Sequence, residues 1–199
     1  MNFAVFASGN GSNLQAIIDA CRKKKIRATL GLVLSDKADA YALTRARKAK
    51  VPCVVHIDPK GFRSREDFDA AAIALLKRAK IDFIVLAGFM RILSPVFIRT
   101  FKNRILNIHP ALLPAFKGGH AIKDALAHGV KVTGVTVHFV DEEVDHGAII
   151  LQEAVEIRAK DTAQTLAMRI HKVEHRLYPK AIDLFARGKL RVAGRVVTV

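Results

Sequence analysis

The sequence predicts an α/β fold in which a mostly parallel, twisted sheet carries helices on both faces and ends in an antiparallel extension. Three observations lead there. Over the first 110 residues, short β-branched or apolar runs alternate with amphipathic segments of helix length. Each pair of runs brackets one helix-length crossover, which is what parallel neighbours require. Beyond residue 110 the rhythm changes to two long strand-like runs around a short acidic loop, a pattern that suits antiparallel pairing. With 199 residues, 51% hydrophobic and 26% charged, the chain has material for one such core. No repeat, low-complexity linker or composition break marks a second domain, so residues 1–187 are read as one domain and 188–199 as a tail.

The elements follow in order. A strand at 2–7 precedes a helix at 12–24; strands at 30–35, 53–57 and 82–87 precede helices at 39–50, 65–79 and 95–101. A fifth strand occupies 105–108, and a Pro- and Gly-bearing loop leads to a short helix near 121–128. TGVTVHFV and AIILQEAVEI flank DEEVDHG as a strand pair. Residues 161–187 read as a long helix begun by Asp161 or Thr162, interrupted or bent before Pro179, and ended by Gly188. The tail LRVAGRVVTV reads as a last strand or a loose end.

Composition removes several function classes. The longest apolar stretch, IDFIVLAGFM, contains Asp82 and falls short of a membrane span. The amino terminus has no basic region before its apolar run, so a cytoplasmic protein is expected. Cys21 and Cys53 form no C-x-x-C motif and read as reduced core residues. The eight histidines show no H-E-x-x-H and no tight Cys/His cluster, so no metal is expected. The formal net charge is +15, but its Lys and Arg are spread along predicted helix faces and ends, as a solvated surface requires. Attraction of small anionic ligands is a second benefit of that charge.

Chemistry concentrates in a few segments. S-G-N-G-S-N at 8–13 leaves the first strand and opens the first helix, where backbone N–H groups and the helix dipole favour an anion. Asp36, at the end of the second strand, offers a ribose partner of the dinucleotide-binding kind. However, Leu14 stands where that fingerprint needs its third glycine, and no G-K-[ST] follows. Gly11, Ser12 and Asn13 can therefore hold a monophosphate; a glycine turn needed only for packing fits the loop equally well. In L-N-I-H-P-A-L-L-P at 106–114, strand alternation puts Asn107 and His109 on one face, and Pro110 breaks the ladder at the carboxyl edge, where ligands gather in such sheets. In D-E-E-V-D-H-G at 141–147, Asp145 can reach back to orient His109 and keep its ring charged, although the loop taken alone reads as a solvated hairpin tip. His138 is a further pocket candidate that reads more simply as a structural histidine.

G-N-G-S-N, L-A-G-F-M-R-I-L-S-P at 86–95, L-N-I-H-P-A-L-L-P and V-H-F-V-D-E-E-V-D-H-G occur in the order and spacing of the folate-dependent formyltransferases of purine synthesis, and the chain resembles that family from residue 1 to about 187. The resemblance implies a Rossmann-like formyltransferase fold. It implies a catalytic trio of Asn107, His109 and Asp145, and an acceptor site made of Gly11, Ser12, Asn13 and Glu174. It implies a pterin pocket made of Met90, Arg91, Ile92 and Leu93, of Asn107, and of the loop Asp141, Glu142, Glu143, Val144 and Asp145, with Arg65 meeting the folate's glutamate tail. Lys117 departs from the family, which carries a proline there, and the tail past Gly188 exceeds what the shortest members need.

The implied reaction is direct transfer of the formyl group of 10-formyltetrahydrofolate, as co-substrate, to the amine of phosphoribosylglycinamide. Asn107 and His109 stabilise the developing oxyanion, and Asp145 assists proton transfer. The expected partners are a small phosphorylated amine and a folate, with no membrane and no nucleic acid, in a monomer or homodimer. Two alternatives share the core: a formyltetrahydrofolate hydrolase and a methionyl-tRNA formyltransferase-like enzyme. A third, a nucleic-acid-binding module without catalysis, suits the charge but lacks recognisable binding motifs, and the chain has no Trp and only two Tyr.

Overall fold

The computed structural model describes residues 1–199. Five strands, β1 (Asn2–Phe6), β2 (Thr29–Ser35), β3 (Cys53–His56), β4 (Phe83–Leu86) and β5 (Ile105–His109), are joined by helices α1 (Ser12–Arg22), α2 (Tyr41–Lys48), α3 (Arg65–Arg78) and α4 (Pro95–Thr100). After α5 (Ala121–Ala127) come β6 (Val132–Phe139), β7 (Ile149–Glu156), α6 (Ala163–Ala186), β8 (Arg191–Ala193) and β9 (Val196–Thr198). The first seven strands form one sheet in the order β3-β2-β1-β4-β5-β6-β7. Pairing is parallel from β3 to β5 and antiparallel from β5 to β7, as the change of rhythm after residue 110 implies.

Two apolar layers sandwich the sheet. One is built by α1, α2 and α6 around Phe3, Leu14, Ile17 and Tyr178. The other is built by α3 and α4 around Phe6, Phe68, Leu76 and Phe97. Residues 3–6 of β1 alternate between these layers and are fully buried, which is why that strand reads as a continuous apolar run.

Two expectations are narrowed by the structure. Helix α6 runs unbroken through Pro179. A proline here removes the hydrogen bond to the His175 carbonyl, but Tyr178, Pro179, Ala181 and Ile182 are all buried in the core, and packing outweighs the local penalty of roughly 3 kcal/mol. Tyr178 anchors the same turn: its hydroxyl lies 2.8 and 2.9 Å from the carbonyl oxygens of Leu86 and Leu106, at the ends of β4 and in β5. The tail, in turn, adds no strand to the main sheet. It forms its own β8-β9 hairpin, docked by Leu190 and Val197 against the α6-side core. No helix is long and apolar enough to cross a membrane.

Candidate active site

The carboxyl ends of β1, β4 and β5 meet at the middle of the sheet, and Asn107, His109 and Asp145 gather there. Asn107 faces His138 directly across the β5–β6 ladder, and His109 faces Thr136. The Thr136 hydroxyl donates to the Ala111 carbonyl (2.7 Å) and accepts from Leu113 N–H (3.1 Å), fixing the chain just past His109.

Asp145 arrives from the β6–β7 loop in a left-handed conformation, φ 49°. Gly147 explains the geometry: a Cβ there would stand 1.9 Å from the Phe139 carbonyl oxygen, so only glycine lets the loop close this tightly. The Asp145 carboxylate then collects donors. Its Oδ2 lies 3.2 Å from His109 Nδ1 and accepts from Gly118 N–H at 2.8 Å; its Oδ1 accepts from Asn107 Nδ2 at 3.3 Å and lies 3.6 Å from His138 Nε2. Burial raises this carboxyl, but the neighbouring His138 and His109 rings and the hydrogen bond from Gly118 N–H together hold it below the ordinary carboxylate range.

His109 is buried between two acceptors, Asp145 Oδ2 on Nδ1 and the Phe116 carbonyl on Nε2 at 2.7 Å. An oxygen acceptor thus faces each ring nitrogen, an arrangement that suits a ring with hydrogen on both. Phe116 itself is strained, with φ 51°. Asn107 Nδ2 donates to Asp145 and also sits 3.2 Å from His138 Nε2, whose ring donates through Nδ1 to the Phe139 carbonyl at 2.7 Å. His138 thus belongs to the constellation as a hydrogen-bonded support. Lys117, the departure from the family pattern, is exposed between the two loop residues that cap His109 and Asp145.

A second group surrounds the glycine loop. Gly11 caps α1 with φ 73°, and a Cβ on it would stand 2.8 Å from that of Ala42, so the glycine is required by packing whether or not the loop also binds an anion. The N–H groups of the first α1 turn have no partner within the helix. Asn13 Nδ2 donates to Glu174 Oε2 at 2.9 Å, and His171 Nδ1 donates to the same oxygen at 2.8 Å. That hydrogen bond raises the His171 imidazole above its ordinary range, against an opposing contribution from burial. Arg45 of α2 clamps the loop, donating to the Asn10 carbonyl (2.9 Å) and to Asn10 Oδ1 and Gln15 Oε1 (both 3.1 Å). Sequence reasoning missed His171 and Arg45, whose only sequence signal is helical spacing. A cavity of about 540 Å³, lined by Ser12, Gln15, Arg45 and His175 among others, opens on this side of the sheet rather than over the trio. Asp36 is buried at the end of β2 with Oδ1 unpartnered.

The third group is an apolar rim. Ser8 Oγ accepts from Met90 N–H at 2.9 Å, tying the 88–93 loop to the glycine loop. Met90 and Ile92 are exposed and Leu93 is buried beneath them; Val144, across the site, is exposed too. Three large apolar side chains left in water around a polar constellation are what a flat aromatic ligand covers. Asp69, which the sequence did not single out, holds this loop by accepting from Ser94 N–H at 2.5 Å; its burial raises the carboxyl despite Ser94, Arg91 and Arg65. Arg91 lies over the Phe68 ring at 4.5 Å, and Arg65 starts α3 at the surface beside Glu66. The side chains of Glu142 and Glu143 do not converge on the trio: Glu142 pairs with Arg99, and Glu143 is largely in solvent.

Comparison with known proteins identifies the family and the fold. A family model described as formyl transferase matches residues 1–182. The phosphoribosylglycinamide formyltransferase of Escherichia coli strain K12 is 46% identical over 192 residues, covering 96% of this chain and 90% of that protein. The trifunctional purine biosynthetic protein adenosine-3 of Gallus gallus is 48% identical over 195 residues, of which this chain spans only 19% of the length. Among solved structures, glycinamide ribonucleotide transformylase 1 from Symbiobacterium toebii superimposes with a TM-score of 0.97 at 50% identity, over 100% of this chain and 93% of that one.

Proposed function

Because the chain belongs to the formyl transferase family, we propose that it transfers the formyl group of 10-formyltetrahydrofolate to the amine of 5'-phosphoribosylglycinamide in purine biosynthesis. One observation carries the reading: a buried His109 held between Asp145 and the Phe116 carbonyl, beside Asn107, at the carboxyl end of β5 between the apolar rim and the glycine loop.

The acceptor's phosphate sits on the N–H groups of Gly11, Ser12 and Asn13, with the His171 imidazolium alongside. Glu174, whose Oε2 is taken by Asn13 and His171, offers Oε1 to ribose hydroxyls or the amine. The pterin lies against Met90, Ile92, Leu93 and Val144, with Arg91 at the rim, and the backbone of Asp141 to Asp145 provides polar contacts. Arg65 meets the glutamate tail.

The amine nitrogen attacks the formyl carbon on N10, and negative charge develops on the formyl oxygen. That oxygen takes the place of the Phe116 carbonyl as acceptor from His109 Nε2, and Asn107 turns an amide N–H towards it. The charge-assisted hydrogen bond from His109 is the stronger of the two. The ammonium proton then passes to N10 with Asp145 as relay, the C–N10 bond breaks, and tetrahydrofolate and the formylated amide leave. No covalent enzyme intermediate is formed. Offering the purified protein 10-formyltetrahydrofolate with phosphoribosylglycinamide, water or methionyl-tRNA tests the reading; transfer to the ribonucleotide supports it, and transfer only to water or tRNA overturns the acceptor.

A further inference from the structure

The carboxyl-terminal hairpin has no place in the chemistry described so far, yet it touches the loop that carries Asp145. Arg195, at the β8–β9 turn, places Nη1 2.7 Å from Nε2 and 3.3 Å from Nδ1 of His146 and donates through Nη2 to the His146 carbonyl at 2.7 Å. On the other side of the ring, His146 Nδ1 lies 2.7 Å from Asp141 Oδ2. A carboxylate only accepts, so His146 Nδ1–H donates to Asp141, while Arg195 Nη1, within reach of both ring nitrogens, lies against the face of the same ring. The chain Arg195, His146, Asp141 therefore spans the loop from its last residues to its first.

We infer that Arg195 is a positioning residue: through His146 it fixes the 141–147 loop, and with it Asp145 and the folate-facing backbone. Asp145 stands in the left-handed region, with His146 and Gly147 following it. The close approach of Gly147 to Phe139 sets one of these neighbours, and Arg195 holds the carbonyl of the other. The hairpin supplies a firm base for this contact, since Leu190 and Val197 pack on the main core and β9 lies beside β7. The functional half of this inference rests on the proposed formyl transfer; the contact itself does not.

Two readouts on Arg195→Gln separate the two. Amide hydrogen exchange of residues 141–147 should accelerate with no change in the core strands β1 and β4. The KM for 10-formyltetrahydrofolate should rise about fivefold, the size expected for one exposed charge-assisted hydrogen bond, with the KM for the amine substrate unchanged. Arg195→Lys, which can still donate to the carbonyl, should recover part of the effect; Arg191→Gln, on the same hairpin but outside the contact, should match wild type in both readouts. Unchanged loop exchange in Arg195→Gln would overturn the contact whatever the substrate. Faster exchange with an unchanged folate KM and pH profile would overturn its positioning role. A wild-type protein with no formyl transfer would count against the proposed function and leave the exchange result standing.

Discussion

His109 and Asn107 enter the site already satisfied, by Phe116 and Asp145 and by Asp145 and His138. In the proposed reaction a formyl oxygen exchanges with an existing acceptor, and the Phe116 carbonyl is the one on His109 Nε2. Loss of a single oxyanion donor typically costs about 100- to 1000-fold. Asn107→Ala should lower kcat by that factor with unchanged thermal unfolding; near-normal turnover would remove Asn107 from the chemistry. Asp145→Asn should shift the pH profile of kcat, because the neutral amide no longer holds the His109 charge. It should also change acid stability: a carboxyl depressed in the folded state contributes stability above its ordinary value of 3.8 that is lost as pH falls through its folded value. The variant should lose less stability than wild type below pH 3.8, as followed by acid titration of circular dichroism. His171 runs the other way. Its raised value means that its charge persists above 6.5 and disappears as pH rises further, so KM for the phosphorylated substrate should rise about tenfold over that window. A pH-independent KM in His171→Gln would bear this out, and an unaltered slope would place the phosphate elsewhere.

At the scale of elements, the antiparallel run of β5, β6 and β7 brings the trio together, and the parts readable in the sequence are those with local rules. Strand alternation places Asn107 and His109 on one face, and the break at Pro110 locates the sheet edge. His171, Arg45 and Asp69 escape such rules because each acts on a segment that tertiary packing alone brings near: α6 against α1, α2 against the glycine loop, α3 against the 88–94 loop. Pro179 shows the converse, a local rule overridden by burial of the surrounding turn. The tail hairpin was ambiguous because its short strands can pair with each other or with a sheet edge. Two element-level outcomes follow. Tyr178→Phe should destabilise by about 1–2 kcal/mol in urea titration, since two buried carbonyl oxygens lose their shared donor. Gly147→Ala should cost about 1–3 kcal/mol and displace Asp145, so kcat should fall further than stability alone explains.

The whole molecule carries a formal charge of +15, and both proposed ligands are anions. Some of that charge lies beside the glycine loop, where Lys23, Lys25, Arg45 and Arg176 line the α1–α6 cavity with Asp19 as its one acid. A field of that sign speeds encounter with a phosphorylated substrate and is screened within about 10 Å at 0.1 M salt. Accordingly kcat/KM for the ribonucleotide should fall with added salt while kcat stays flat; a salt-independent kcat/KM would leave the charge with solubility alone. The central claim, that this fold joins an apolar folate rim to a phosphate loop across one protonated histidine, is tested most directly by formyl transfer itself. Purified protein given 10-formyltetrahydrofolate and phosphoribosylglycinamide should yield tetrahydrofolate and formylated ribonucleotide in equal amounts, and His109→Ala should abolish both. Release of formate without formylated ribonucleotide, or full activity in His109→Ala, would contradict it.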